Sequence, residues 1–97
     1  MHTPCSAIAY SRHALERMFE RAIAPQTVAR LLAEGEIIAE YPDDRPHPSV
    51  LILGFDGQRP IHIVVAQEAS TACCVVVTVY PPDATLWDEA FKIRRAK

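Results

Sequence analysis

The sequence lacks the features that define several large classes of protein. It has no apolar run as long as the roughly 18 residues of a membrane-spanning helix. Its start, MHTPCSAIA, has neither a basic stretch nor a long apolar stretch, so we expect no signal peptide. Glycine occurs only 3 times, and no GxGxxG, P-loop or nucleophile-elbow motif is present. These absences argue against nucleotide-binding and hydrolase-type sites.

Cysteine is also scarce, and its placement does not suggest cross-linking. There are three cysteines, Cys5, Cys73 and Cys74, an odd number that includes a vicinal pair. Vicinal residues in a strand point to opposite faces, so we expect no disulfide framework and a reducing, cytoplasmic setting. Together with four histidines they form no CxxC, HxxxH or HxH spacing, so we expect no metal and no cofactor.

An excess of positive charge is missing too. Ten Lys and Arg residues face twelve Asp and Glu residues, for a formal net charge of −2, whereas general nucleic-acid binders are basic. The charges are segregated, however, because residues 34–44 carry acids without a base and residues 92–97 carry bases without an acid. We therefore expect a local basic site and no globally basic surface.

The hydrophobic pattern changes period once along the chain. Residues 12–22 and 25–34 have helical spacing, and residues 36–41, 49–55, 60–67 and 72–80 read as strands. This order predicts an α+β fold, with two N-terminal helices packed on one face of a four-stranded antiparallel sheet. Residues 83–95 predict a short C-terminal helical segment. The 97 residues form one domain, with residues 1–9 as a lead-in that is partly disordered or pairs at a sheet edge.

Local signals mark the ends of these elements. Ser11 is the expected N-cap of the first helix, and Pro25 suits the first turn of the second. Ala24 offers no capping oxygen, and Gly35 is expected to end the second helix in the left-handed region. Asp56-Gly57 indicates a hairpin with a loop of two to four residues.

The first helix has two faces of different chemistry. Its core-facing stripe is predicted to be Leu15, Met18, Phe19 and Ala22. On roughly the opposite side, His13, Arg17 and Arg21 step by four residues and form one polar row, called the ridge below.

The strands bring a second polar group together. We predict that Cys74, Val76, Thr78 and Tyr80 share one face of the last strand, and that Ile37, Ala39 and Tyr41 share one face of the first. A symmetric turn would place His62 opposite residue 76, 78 or 80, so that Thr78 or Tyr80 is its direct or diagonal neighbour.

These residue types suit metal-independent RNA cleavage. That reaction needs a base for the 2′-hydroxyl, an acid for the leaving oxygen and cations for the phosphorane. Histidine serves the first two roles and arginine the third, while tyrosine can orient or stack. The candidate catalytic residues are therefore His13, His62 and Tyr80, and Arg17 and Arg21 are the candidate substrate-binding residues.

Each candidate also has a structural interpretation. The ridge can be a solvated helix face paired with Glu16 and Glu20. His62 can be a half-buried strand histidine satisfied by a hydroxyl, and Tyr80 can pack over the edge of the core. Trp87 is expected to be a core or docking aromatic.

Four segments carry a family resemblance. They are HAxxRMxxRxI from His13, LLAEGEIIAEYPDDRPHPS from Leu31, PIHIVV around His62 and VTVYPPDATLWDE around Tyr80. In this order they resemble a bacterial domain of unknown function, DUF4258, over residues 10–95. The resemblance implies a barnase–EndoU–colicin–RelE type of fold, whose members include small metal-independent RNases that act as toxins. It further implies RNA as substrate and an antitoxin protein as partner.

A second function fits the same residues. The chain can be a non-enzymatic protein-binding module or a decayed toxin, with the ridge docking an acidic partner or the acidic residues 34–44 docking a basic one. The net charge of −2 favours this alternative. The sequence leaves the oligomeric state open and predicts no membrane partner.

Overall fold

A five-stranded mixed sheet carries two helices on one face. The computed structural model describes residues 4–95. The elements in chain order are β1 (Ile8–Tyr10), α1 (Arg12–Glu20), α2 (Pro25–Glu34), β2 (Glu36–Tyr41), β3 (Ser49–Asp56), β4 (Arg59–Gln67) and β5 (Cys74–Tyr80). The strand order is β1-β5-β4-β3-β2. The α+β prediction is confirmed. The four-stranded antiparallel sheet is wrong, because the lead-in contributes a fifth strand.

β1 lies parallel to β5 at one edge of the sheet. Ile8 pairs with Cys74 and Tyr10 with Val76, and the other neighbouring strands are antiparallel. A parallel pair needs a long crossover connection, and here residues 11–73, about two thirds of the chain, lie between the two strands. Of the two alternatives for the lead-in, the structure confirms pairing at a sheet edge for residues 8–10.

Ser11 joins β1, α1 and β5. Its hydroxyl oxygen accepts the backbone N–H of Ala14 at 3.0 Å, which confirms the predicted N-cap. The same hydroxyl donates to the carbonyl oxygen of Val77 at 2.8 Å. The cap of α1 is therefore also a link between the helix and β5.

α1 ends two residues earlier than the sequence predicts. Ala22 has a positive φ of 55°, and the N–H of Ile23 donates to the carbonyl oxygen of Met18 at 2.9 Å. This is the Schellman arrangement, in which a left-handed residue stops a helix and satisfies its last carbonyls. An alanine holds the position where glycine is usual.

The boundary between α2 and β2 depends on a close approach. α2 starts at Pro25, and Ala24 makes no side-chain cap, as predicted. The predicted left-handed conformation of Gly35 is wrong, because its φ is −74° and its ψ is 171°. A Cβ at Gly35 would lie 2.5 Å from Ile52 Cγ2 and 2.6 Å from the carbonyl oxygen of Leu31. Residue 35 must therefore be glycine because a Cβ would not fit there, and not because the backbone adopts the left-handed region.

The main core lies between the helices and the sheet. The helices supply Ala14, Met18, Val28, Leu31 and Leu32, the turn between them supplies Ile23, and the sheet supplies Ile52, Ile61, Ile63, Val65, Cys74, Val76 and Val79. The predicted stripe of α1 is correct only for Met18. Leu15 is 49% exposed and Phe19 is 89% exposed. The buried residues of α1 are Ala14 and Met18, four apart, so the core-facing stripe is rotated away from Leu15 and Phe19.

Two β-bulges change which side chains share a face. The register shifts between Ile37 and Ala39 in β2, so these residues point to opposite faces and the predicted alternation is wrong. In β5, Val65 pairs with Val76 but Val64 pairs with Thr78. The extra residue turns Thr78 away from the helices, so the predicted common face of residues 74, 76, 78 and 80 is also wrong.

Residues 81–95, the C-terminal segment, lie on the sheet face opposite the helices. They form turns and one isolated bridge between Trp87 and Arg94, and the predicted C-terminal helix is wrong. The Asp83 carboxylate accepts the N–H of Thr85, and the Asp88 carboxylate accepts the N–H of Lys92. Such side-chain bonds stabilise turns at the expense of a helix.

One disulfide bond links Cys5 to Cys74 across a sequence separation of 69. The expectation of no disulfide framework is therefore wrong, and the reducing setting inferred from it loses that support. The pairing of Ile8 with Cys74 brings the lead-in beside β5, a proximity that cysteine spacing does not reveal. Cys73 remains a free thiol.

Candidate functional site

The ridge lies along one flank of α1. His13 and Arg21 are exposed, and Arg17 is partly exposed. Residues four apart on a helix are neighbours, so the three side chains follow one another along the flank. Arg17 Nη1 lies 2.6 Å from Glu20 Oε1, which makes Arg17 the ion-paired member of the ridge. The interpretation as a solvated, paired face therefore holds for Arg17.

Arg59 adds a third guanidinium at the end of the ridge. Its Nη2 donates to the carbonyl oxygen of Arg21 at 2.8 Å, where the negative end of the helix dipole favours a cation. Within residues 4–95, no carboxylate lies within ion-pair distance of Arg21 or Arg59. The sequence analysis missed Arg59. The Asp56-Gly57 hairpin signal could have placed it at the start of β4, but nothing local points from there to α1.

The second group centres on His62, which lies opposite Tyr80 in the sheet and is fully buried. This confirms the expected neighbourhood of the two residues. His62 Nε2 lies 2.7 Å from the carbonyl oxygen of Phe91, and Nδ1 lies 3.2 Å from the Tyr80 hydroxyl. A carbonyl only accepts, so Nε2–H donates to Phe91, and a neutral Nδ1 accepts from Tyr80. Both ring nitrogens are occupied.

The surroundings of His62 favour the uncharged imidazole. The Trp87 ring stands perpendicular to it, with ring centroids 4.5 Å apart, and confirms Trp87 as a docking aromatic. Burial lowers the pKa of His62 below the usual 6.5, against a smaller opposing effect of the hydrogen bond to Phe91. Burial also raises the pKa of Tyr80, helped by Tyr41 and opposed by Arg94. His62 is therefore held as a neutral hydrogen-bonding group.

The two groups lie on opposite faces of the sheet. Ile61 and Ile63 belong to the core beneath the helices, so the side chain of His62 between them points the other way. The structure brings His62 and Tyr80 together, and it brings His13, Arg17 and Arg21 together. It does not join the two groups into one site, and a single phosphate cannot contact both.

A comparison with protein-family models adds the family. Residues 10–81, well over half of the chain, match the model described as domain of unknown function (DUF4258). The chain belongs to the DUF4258 family. No curated protein and no solved structure matches it at a significant level.

The boundary of the DUF4258 match is informative. It ends at residue 81, short of the residue 95 that the sequence resemblance suggests. The matched region runs from the end of β1 through β5 and contains every member of both polar groups. The C-terminal segment that covers His62 begins where the match ends.

The described part of the DUF4258 chain has neither a metal-ligand cluster nor a helix suited to spanning a membrane. Across residues 4–95, no three or more His, Cys, Asp or Glu side chains are grouped so that they could hold a metal ion. None of the helices in this range is both long and apolar enough to cross a membrane.

Proposed function

We propose that this DUF4258 domain is a metal-independent ribonuclease-like toxin that acts on RNA at the ridge. The supporting observation is the alignment of the exposed imidazole of His13 with the guanidinium groups of Arg17 and Arg21. Arg59 extends this row of cations, and Arg21 and Arg59 have no carboxylate within ion-pair distance among residues 4–95. Guanidinium groups suit phosphodiesters because they stay charged and donate in a planar fork.

The proposed reaction is an internal transfer at phosphorus. His13 takes the proton of the RNA 2′-hydroxyl, whose oxygen then bonds to the adjacent phosphorus. The bond from phosphorus to the 5′-oxygen breaks, and the leaving oxygen takes a proton from water. Arg17 and Arg21 bind the non-bridging oxygens and stabilise the negative charge that develops there. The products are a 2′,3′-cyclic phosphate and a free 5′-hydroxyl.

His62 and Tyr80 belong to a second version of this proposal. In that version His62 is the acid or base and Tyr80 orients or stacks on the RNA. Both nitrogens of His62 are bonded and the imidazole is buried under the C-terminal segment, so RNA could reach it only after that segment moves. The accessible ridge is therefore the version that the geometry favours.

Controlled expression in a bacterial host tests the proposal. Induction of the wild type should arrest growth and fragment total RNA, and His13→Ala and Arg21→Ala should abolish both effects. Arg12→Ala is the matched control, because Arg12 lies on the same helix with a side chain 93% exposed and outside the ridge. Soluble, folded protein without arrest or fragmentation would contradict the ribonuclease activity. Loss of activity in His62→Ala, and not in His13→Ala, would favour the second version.

The proposal also includes a partner and a location. A cognate antitoxin would present an acidic or helical segment that covers the ridge and blocks RNA. In this proposal the domain works in the cytoplasm, where RNA is its substrate. Co-expression with the neighbouring gene should then restore growth, whereas co-expression with an unrelated acidic protein should not.

A docking module is the second candidate, and the exposed apolar flank of α1 favours it. Phe19 is 89% exposed and Leu15 is 49% exposed, on a helix that also carries the ridge. Large exposed apolar side chains in one patch are typical of protein interfaces. Salt dependence separates the candidates, because RNA binding at the ridge should weaken steeply with salt as counterions are released. Absence of RNA binding at any salt concentration would favour the module.

A further inference from the structure

The hydrogen bonds of the C-terminal segment close mostly on the segment itself. The N–H groups of Leu86 and Trp87 donate to the carbonyl oxygen of Asp83, and the N–H of Arg95 donates to the carbonyl oxygen of Leu86. The N–H of Phe91 donates to the carbonyl oxygen of Asp88. Separation from the sheet therefore breaks no strand ladder, and turns this short lose their protection against exchange once the sheet no longer supports them.

Few polar contacts hold the segment on the sheet. The buried contact is the hydrogen bond from His62 Nε2–H to the carbonyl oxygen of Phe91, at 2.7 Å. The other is the ion pair of Lys92 Nζ with Glu36 Oε1, at 3.0 Å, in which the side chains are 45% and 59% exposed. Exposed ion pairs stabilise little, so His62 provides the main polar anchor.

The apolar side chains of the segment are divided between sheet and solvent. Trp87 and Phe91 are partly buried, while Leu86 is 42% exposed and Ile93 is 68% exposed. The apolar side chains of this segment are half solvated, and it forms no ladder with the sheet. Such segments belong to the low-stability part of a fold. The DUF4258 match ends at the first residue of the segment.

We propose that the C-terminal segment is a displaceable cover, which opens as a unit on the folded sheet and uncovers His62 and Tyr80. His62 stabilises the closed state, because the hydrogen bond from its Nε2–H to the carbonyl oxygen of Phe91 forms only there. It is called the latch of the cover. Opening would leave the helix-side core intact, since the core residues lie on the other face of the sheet. The movement itself follows from the fold. Only its consequence for RNA, which is access to His62, rests on the proposed function.

Hydrogen exchange of the wild-type protein at neutral pH, read at single amides, tests the opening. Bonded amides of the segment, such as those of Leu86 and Arg95, should exchange at least about tenfold faster than β4 amides. Their exchange should depend little on low denaturant concentrations, because a local opening exposes little new surface. If segment and β4 amides exchange at the same rate and with the same denaturant dependence, the segment opens only by global unfolding and the proposal is wrong.

His62→Leu tests the latch. Leucine keeps an apolar side chain at residue 62 and removes the donor to Phe91. Segment exchange should accelerate about tenfold, the effect of one buried hydrogen bond, and keep its weak dependence on denaturant, because the opening stays local. Unchanged segment exchange would contradict the role of His62 as the latch. Trp87, the single tryptophan, reports the same event by a red-shifted emission and stronger quenching by acrylamide. Lys92→Gln is the matched control and should change segment exchange by less than about twofold.

A second variant covers the case in which His62→Leu perturbs the whole fold. Asp88→Asn weakens the turn inside the segment, where the exposed carboxylate accepts the N–H of Lys92, and leaves the sheet untouched. It should accelerate exchange of the segment amides and leave their weak dependence on denaturant unchanged. Segment exchange that rises with denaturant as steeply as β4 exchange would overturn the proposal. RNA is absent from these measurements, so failure of the ribonuclease proposal would leave their outcome unaffected.

Discussion

The two faces of the sheet are covered in different ways. On the helix side, Ala14, Met18 and Leu31 pack against strand residues in a continuous apolar core. On the other side, irregular turns lie over a face that contains the two buried polar residues, His62 and Ser49. Apolar packing is insensitive to pH, whereas a buried imidazole responds to it. The helix side therefore stabilises the fold independently of pH, and the opposite side is where a change of pH can change the structure.

The largest expected change in the free energy of unfolding is for a substitution on the helix side of the sheet. Met18→Ala should lower the free energy of unfolding by about 2 to 4 kcal/mol, because Met18 is 3% exposed and its truncation leaves a cavity. Phe19→Ala is the matched control on the same helix. With 89% of Phe19 exposed, the change should stay within about 0.5 kcal/mol. Denaturant unfolding measures both, and equal losses would mean that α1 is not rotated as described.

An intermediate change in the free energy of unfolding is expected for His62 on the other side of the sheet, and it depends on pH. Burial lowers the pKa of His62 in the folded state below the 6.5 of the unfolded chain. The stability that neutral His62 contributes is complete above about pH 6.5. It is lost as pH falls from there towards the folded-state pKa, at no more than about 1.4 kcal/mol per pH unit. The difference in unfolding free energy between wild type and His62→Leu, measured from pH 7.5 to 5, should follow this course. A pH-independent difference would contradict it.

The smallest effect concerns the end of α1. Ala22 has a φ of 55°, a conformation that is unfavourable for alanine and accessible to glycine. Ala22→Gly should therefore raise the free energy of unfolding by about 0.5 to 1 kcal/mol, less the added freedom of glycine in the unfolded chain. Ala33→Gly, at an exposed position inside α2, is the control and should lower stability by a similar amount. A loss at both positions would show that the left-handed stop at residue 22 is absent.

The successful sequence predictions are those whose cause is local. Ser11 caps α1 through an amide three residues away, and Gly57 takes a φ of 65° in the two-residue turn between Asp56 and Arg59. The position of His62 opposite Tyr80 follows from the alternation of side chains along the strands and from the short loop between them. Each signal lies within a few residues of the feature that it predicts.

Most failures depend on contacts between distant segments. The bulges in β2 and β5 arise where these strands pair with others, and the rotation of α1 follows from the burial of Ala14 in the core. The C-terminal helix is different, because hydrogen bonds to the Asp83 and Asp88 carboxylates inside the segment stabilise turns in its place. The Cys5–Cys74 bond and the contact of Arg59 with α1 join residues far apart in sequence. The same limit applies to the site. Residue types identified both polar groups, but only the sheet shows that they face away from each other.

The parallel pairing of β1 with β5 has a consequence for how the chain folds. Its partners are separated by most of the sequence, so this pair cannot form until β5 has been synthesised, long after β1. The antiparallel strands β2, β3 and β4 follow one another and can pair earlier. During synthesis β1 therefore stays unpaired until β5 has been made, and the Cys5–Cys74 bond is among the last native contacts to become available.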